Sequence, residues 1–192
     1  MMRQGCLYRQ MRGFTLMELL VVMALSAITM AMAIPAFDQM LMRTRVTTST
    51  NMLLGILQSG RYKALAERQP LTFCSVGRGQ ACEIIWRERF LLFADKNRNG
   101  VKDEGDRVAL DTNILADGFT LVWHGFRSQR FMQWESHGMS SASNGTFTLC
   151  NTKQHEEWLR QVVVNRAGRP RVVYPAREGG IILREARSAC AW

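Results

Sequence analysis

The residues with the most evident chemistry lie late in the chain, in Gly168-Arg169-Pro170-Arg171. Strand-like runs at 161–165 and 171–174 flank them, so the stretch reads as a hairpin with its arginines projecting from the tip. Gly168 supplies the positive φ that such a turn often needs, and Pro170 stiffens the exit. Arg166, Arg169 and Arg171 then offer planar guanidinium groups, each suited to holding a phosphate through two parallel hydrogen bonds. From Thr120 onward there are ten basic against five acidic side chains, a favourable field for a polyanion. Arg127 and Arg130 are candidates to extend the grip; the aromatics around them (Trp123, Phe126, Phe131, Trp134) are expected in the core. The plain alternative is a soluble hairpin whose arginines only keep an edge from aggregating.

A second candidate is the run from Asp95 to Asp106. Asp95, Asn97, Asn99 and Gly100 meet the opening of a calcium-loop pattern, with Asp103 at the ninth place and Asp106 at the twelfth. Asp106 stands where a bidentate glutamate is usual, strands flank the loop in place of helices, and Lys96, Arg98 and Lys102 offset the carboxylates. The residues therefore favour a polar turn, in which Asn99-Gly100 reverses the chain and Asp side chains cap backbone donors. No catalytic constellation emerges. There are three histidines, His124, His137 and His155, and neither a Gly-rich phosphate loop nor a Gly-x-Ser-x-Gly elbow. The serines around Ser140 have no evident base. The expectation is a non-enzyme that needs no cofactor.

These residues are positioned by a chain with an unusual start. From Gly13 to Phe37 it stays apolar for long enough to cross a bilayer as a helix, which takes roughly 20 residues. Glu18 alone interrupts with a full charge. A carboxylate facing lipid costs on the order of 2.5–3.5 kcal/mol on insertion scales, so it calls for a partner. Arg3, Arg9 and Arg12 precede the run with no acidic residue, which by the positive-inside rule holds that end in the cytoplasm. Beyond Pro35 the helical pattern resumes and turns amphipathic, with Leu53, Ile56, Leu57, Gly60, Ala64 and Leu65 on one face. A continuous element from Phe14 to about Arg68 would be roughly 80 Å long, loosened at Pro35 and stopped by Gln69-Pro70.

Beyond Pro70 the chain reads as strands at 71–75, 83–86, 90–94, 107–110, 119–123, 131–134, 146–150, 161–165 and 171–174. No second helix of comparable strength appears. The expected fold class is α+β: a long N-terminal helix, half transmembrane and half amphipathic, packed on an antiparallel sheet. With its C-terminal part exported, the chain keeps four cysteines where disulfides form and last. Cys74 and Cys82 flank Gly77-Arg78-Gly79 and are paired across a hairpin; Cys150–Cys190 then pins the tail to the sheet. Zinc is the rival, but the close Cys-x-x-Cys pairs of zinc modules are missing.

The N-terminus resembles a type IV prepilin in Gly13-Phe14-Thr15-Leu16, Glu18, the apolar run 19–22 and Pro35. The resemblance implies cleavage after Gly13 by a prepilin peptidase, methylation of Phe14, and a role for Glu18 in meeting the N-terminal amine of a neighbouring subunit. Residues 1–13 would be the leader, taking Cys6 and three arginines with them. The formal charge then falls from +9 to +6, with 22 basic and 16 acidic side chains left. Residues 14–37 would be the transmembrane and polymerisation helix, and 38–192 the amphipathic helix with a globular β domain. The Asp95 loop and the late runs 145–150 and 162–171 look like those of the GspH/FimT group of minor pilins and pseudopilins. A Gly-Arg-x-Arg element is associated with DNA binding in FimT-type minor pilins, and it carries over to Gly168, Arg169 and Arg171. The resemblance thus implies a pilin-like fold and an inner-membrane protein with a periplasmic domain, later part of a pilus at the cell surface. Its partners would be other pilins, the peptidase and non-specific DNA taken up in natural transformation. The alternative it leaves is a type II secretion pseudopilin with protein–protein contacts alone.

Overall fold

A helix this long ends where the sequence stops supporting it. α1 (Leu16–Glu67) runs for 52 residues; Arg68 then takes a left-handed φ of 51°, and Pro70 has no N–H with which to continue. The computed structural model describes residues 13–77, 79–87, 89–140 and 142–191. Arg3, Cys6, Arg9 and Arg12 of the expected leader, and Arg78 of the expected Gly77-Arg78-Gly79 turn, lie outside the described residues. The chain divides into two compact units, Met1–Leu41 and Met42–Trp192.

In the first unit every described residue is exposed, and the helix is long and apolar enough to cross a membrane by length and composition. It passes through Pro35 without a break, although that residue offers no N–H to the carbonyl of Ala31. Hydroxyl groups here are satisfied inside the helix: Ser26 donates to the Val22 carbonyl at 2.7 Å and Thr29 to the Ser26 carbonyl at 2.9 Å.

The second unit begins with the remainder of α1. Its buried stripe is Met42, Val46, Ser49, Thr50, Leu53, Leu57, Gly60 and Ala64, spaced by three and four residues as one helix face requires. The stripe starts earlier than the expected one and leaves Leu65 41% exposed. Its polar members are paired. Thr50 donates to the Val46 carbonyl, and Ser49 Oγ accepts from the Ala116 N–H.

The strands form two four-stranded antiparallel sheets where one was expected. In the first, β1 (Leu71–Ser75) lies between β2 (Phe90–Ala94) and β5 (Phe131–Trp134), with β3 (Val108–Thr112) outside β2. The second has the order β4 (Phe119–Gly125), β6 (Gly145–Asn151), β7 (Arg160–Val164), β8 (Pro170–Val173). β1 and β2 are buried along their whole length; the unbroken apolar run Phe90–Ala94 demands this of β2, whereas β1 buries Thr72 and Ser75 as well. An aromatic cluster unites the two sheets. Phe73 of the first lies 6.0 Å, centroid to centroid, from Phe147 of the second, and Trp86 lies 5.4 and 5.2 Å from the two.

Two expectations fail here. Residues 83–86 form no strand; one isolated bridge, Trp86 to Leu121, occurs there. Trp86 enters the core while Ile84 and Ile85 stay more than half exposed, so two adjacent isoleucines defeat the alternation a half-buried strand needs. The tail also carries helices that the strand-dominated reading omitted: α2 (Pro175–Glu178) and α3 (Gly180–Ala189), after a 3-10 turn at Glu156–Trp158. Pro175 stands at the first helical position, where its fixed φ is favourable.

Helix and sheet approach closely at Gly60. A β-carbon there would lie 2.8 Å from two ring carbons of the fully buried Trp134. Gly60→Ala is therefore expected to destabilise by about 1–3 kcal/mol through overpacking, lowering Tm by roughly 3–10 °C. Gly55→Ala meets nothing within 4 Å and should leave Tm unchanged or raise it. Thermal melts followed by circular dichroism, with the full chain in non-ionic detergent, check both.

Candidate functional site

At the N-terminus the site is a helix start. The Glu18 N–H donates to Thr15 Oγ1 at 3.2 Å, and Leu19 N–H to the Thr15 carbonyl. Thr15 thus caps α1, with Glu18 at the third helical position, the spacing of a capping box. The carboxylate also sits in the first turn, where the helix dipole favours negative charge. Gly13 and Phe14 precede the helix and are exposed, as is Pro35 further along.

The Asp95 loop is organised by one inward carboxylate. Asp95 is fully buried and takes four donors: the Asn99 N–H on Oδ1, and the Gly100 N–H, the Thr72 hydroxyl and the Gln133 amide on Oδ2. Gly100 has a φ of 69° over the ring of Phe131, which a β-carbon would strike. The side chains of the other candidates bond to one another and not to that carboxylate. Asn97 and Asn99 donate to Asp103 Oδ2, while Asp106 accepts the Asp103 N–H. The five are engaged as turn caps and not as one ligand set. Among the described residues, no three His, Cys, Asp or Glu side chains are grouped to hold a metal ion. Disulfides join Cys74 to Cys82 and Cys150 to Cys190, each with a Cα–Cα distance of 5.6 Å.

Between β7 and β8 the Gly168 N–H closes the turn on the Asn165 carbonyl at 2.8 Å, with Gly168 at φ 71°. Asn165 adds its side chain, which accepts the Arg169 N–H. The tip does not stand free, contrary to the sequence expectation. Arg61 on α1 donates to the Ala167 carbonyl, Ser140 bonds Asn165 and Arg166, and a β-carbon on Gly168 would lie 3.0 Å from Trp134. The backbone is docked, while the side chains of Arg166, Arg169 and Arg171 remain exposed. The register pairs Val163 with Arg171 and Thr146 with both His124 and Val163. Arg171 therefore lies on the outer face of the second sheet. There it borders a cleft of about 510 Å³, with Glu185 of α3 on the opposite wall.

Arg127 and Arg130 are exposed on the loop after β4. Of the neighbouring aromatics, Trp123 and Trp134 are in the core and Phe131 is half-buried. Phe126 is not core at all: it is 83% exposed and shares a cavity with Arg166. Sequence reasoning also missed Tyr174, whose ring is flanked by the guanidinium groups of Arg160 and Arg177 at 4.9 and 5.0 Å. Burial holds the pKa of Arg160 below its usual value, and the charges of Arg177 and Arg43 add to the effect.

A capped, lipid-compatible N-terminal helix continued into an α+β domain defines a pilin-like subunit. The sequence model described as the prokaryotic N-terminal methylation motif matches residues 8–34, and the motif implies processing by a prepilin peptidase. That described as type II transport protein GspH matches residues 49–168. The chain belongs to the GspH family, whose members are structural subunits and not enzymes. The type IV minor pilin FimU of Pseudomonas aeruginosa has a similar fold, with a TM-score of 0.54 at 16% identity over 72% of this chain and 95% of that one. The minor pseudopilin EpsH from the type 2 secretion system of Vibrio cholerae superposes with a TM-score of 0.49, at 14% identity over 68% and 98% of the two chains. No curated protein matches in sequence.

Removing the Asp95 carboxylate would leave several buried donors without partners. Asp95→Ala is expected to cost about 3 kcal/mol and Asp95→Asn, which keeps one acceptor oxygen, less. Urea midpoints of the full chain in detergent give the measurement; an unchanged midpoint in Asp95→Ala would mean that the carboxylate does not hold the loop.

Proposed function

We propose that this chain is a minor type IV pilin of the FimT kind, made as a prepilin and spanning the inner membrane once with its C-terminal domain in the periplasm. Residues 1–13 are the leader. Residues 14–37 form the polymerisation helix, in which Glu18 meets the N-terminal amine of a neighbouring subunit, and Pro35 loosens the helix for packing. Residues 38–192 carry the exposed face of the subunit in a pilus at the cell surface, near the tip, beside other minor and major pilins. That face binds DNA for uptake in natural transformation, through phosphate contacts and with little sequence preference.

One observation supports the DNA reading above others. Arg166, Arg169 and Arg171 are exposed around one ordered turn, and among the described residues none pairs with a carboxylate. Unpaired guanidinium groups on a preformed loop hold phosphate at little ordering cost. Arg127 and Arg130 enlarge the same basic surface. A second reading is favoured by the family's description as type II transport: a GspH-like pseudopilin whose work is protein–protein contact.

Processing has a direct readout. Mass spectrometry of the native protein should find a chain beginning at methylated Phe14, with the first thirteen residues retained when the prepilin peptidase is deleted. For DNA, anisotropy titrations of the full chain in non-ionic detergent should weaken steeply with salt. Replacing Arg166, Arg169 and Arg171 together by Gln should cost roughly 100-fold at 0.1 M salt and flatten the log–log salt slope by about 2–3 on duplex. Wild-type affinity and slope in that variant would remove DNA binding from this hairpin and favour the secretion reading.

A further inference from the structure

Phe126 is the most exposed large apolar side chain among the described residues of 42–191, at 83%. A phenyl ring in water is unfavourable by about the area it exposes, and a mobile loop would fold it away. This loop has no such freedom. The Phe126 N–H extends the β4–β6 ladder to the Asn144 carbonyl at 2.9 Å. Two core indoles then pin the loop's next carbonyls, Trp123 on Ser128 at 2.8 Å and Trp86 on Gln129 at 3.2 Å. The Arg130 N–H closes on Ser128 Oγ. Phe126 is thus presented by the aromatic core itself.

The surroundings of the ring have a definite chemistry. Phe126, Ala142, Asn144 and Arg166 line a cavity of about 410 Å³, within the range of small-ligand sites. It offers an apolar π-face, an amide that both donates and accepts, and a guanidinium group. Arg127 stands next to the ring on the same loop. A phosphate alone has no use for the phenyl face. A nucleotide whose base is unstacked uses every one of these groups: the base on Phe126, its edge at Asn144, its phosphates at Arg166 and Arg127.

We propose that Phe126 is a stacking platform for an unpaired base, so that the surface built from Phe126, Asn144 and Arg166 selects single-stranded over duplex DNA. The proposal rests on the DNA reading above and adds recognition of bases to recognition of phosphates. A duplex keeps its bases stacked on one another and presents only its backbone to this surface.

The test uses the full chain in non-ionic detergent at low salt and three labelled probes: a short oligodeoxythymidylate, an abasic strand of the same length, and a duplex. The wild type should bind the thymidylate strand about 10-fold more tightly than the abasic one, in keeping with base–aromatic stacking. Phe126→Ala should abolish that ratio and leave the abasic affinity unchanged, and Phe126→Trp should restore it. Arg169→Gln should weaken all three probes alike. A wild-type ratio near one, or a ratio that survives Phe126→Ala, overturns the stacking role and leaves the phosphate-led reading standing. Failure to bind any of the probes overturns both.

Discussion

Trp134 is the side chain on which the placement of everything else turns. It ends β5, paired in register with Leu71 at the start of β1, and it is completely buried. One side of its indole meets α1 at Gly60; the edge near its pyrrole ring meets the second sheet's hairpin at Gly168. Three elements far apart in sequence share a single ring, and at both contacts only hydrogen fits where a β-carbon would be. Close packing of this kind is not continuously deformable. The hairpin that carries Arg166 and Arg169 is therefore fixed to the helix through the core, with the Arg61 bond to Ala167 as a second tether.

Much of this was readable from local pattern. The helix and most strands follow from the switch between a period near 3.6 and short apolar runs, and the turn at Gly168 from its residue types. The legible part stops where the outcome depends on residues distant in sequence. Asp95 belongs to an acidic loop by composition, yet its orientation is decided by Thr72 on β1 and Gln133 on β5, which together supply its inward donors. Phe126 looks like its neighbours Trp123 and Phe131 in type. It sits past the last register pair, Gly125 with Gly145, held by one further backbone bond to Asn144, where no second strand covers the ring. The split into two sheets has the same origin. β5 leaves its sequence neighbour β4 to pair with β1, and no local signal marks that choice.

The positive charge of the chain is not evenly available. Around the first sheet three arginines are matched to carboxylates: Arg89 to Asp111, Arg98 to Glu135 and Arg107 to Glu67. The Arg89 guanidinium holds the Asp111 carboxyl below the usual carboxylate range, by a hydrogen bond foremost. Arg187 is matched to Glu156 near the tail. These exposed pairs contribute little to stability, but they cancel local field. Arg166, Arg169 and Arg171 at the β7–β8 hairpin, and Arg127 and Arg130 on the loop after β4, carry no such pairing among the described residues.

The bridge between Cys150 and Cys190 encloses 40 residues of sequence separation, and the arginine hairpin lies inside that ring. Tension applied at the hairpin therefore reaches Cys150 by two covalent routes, one back through β7 and one onward through β8, α2 and α3. With the load divided, and neither route able to lengthen beyond its share of a closed loop, the end of the domain is mechanically a cable with two strands.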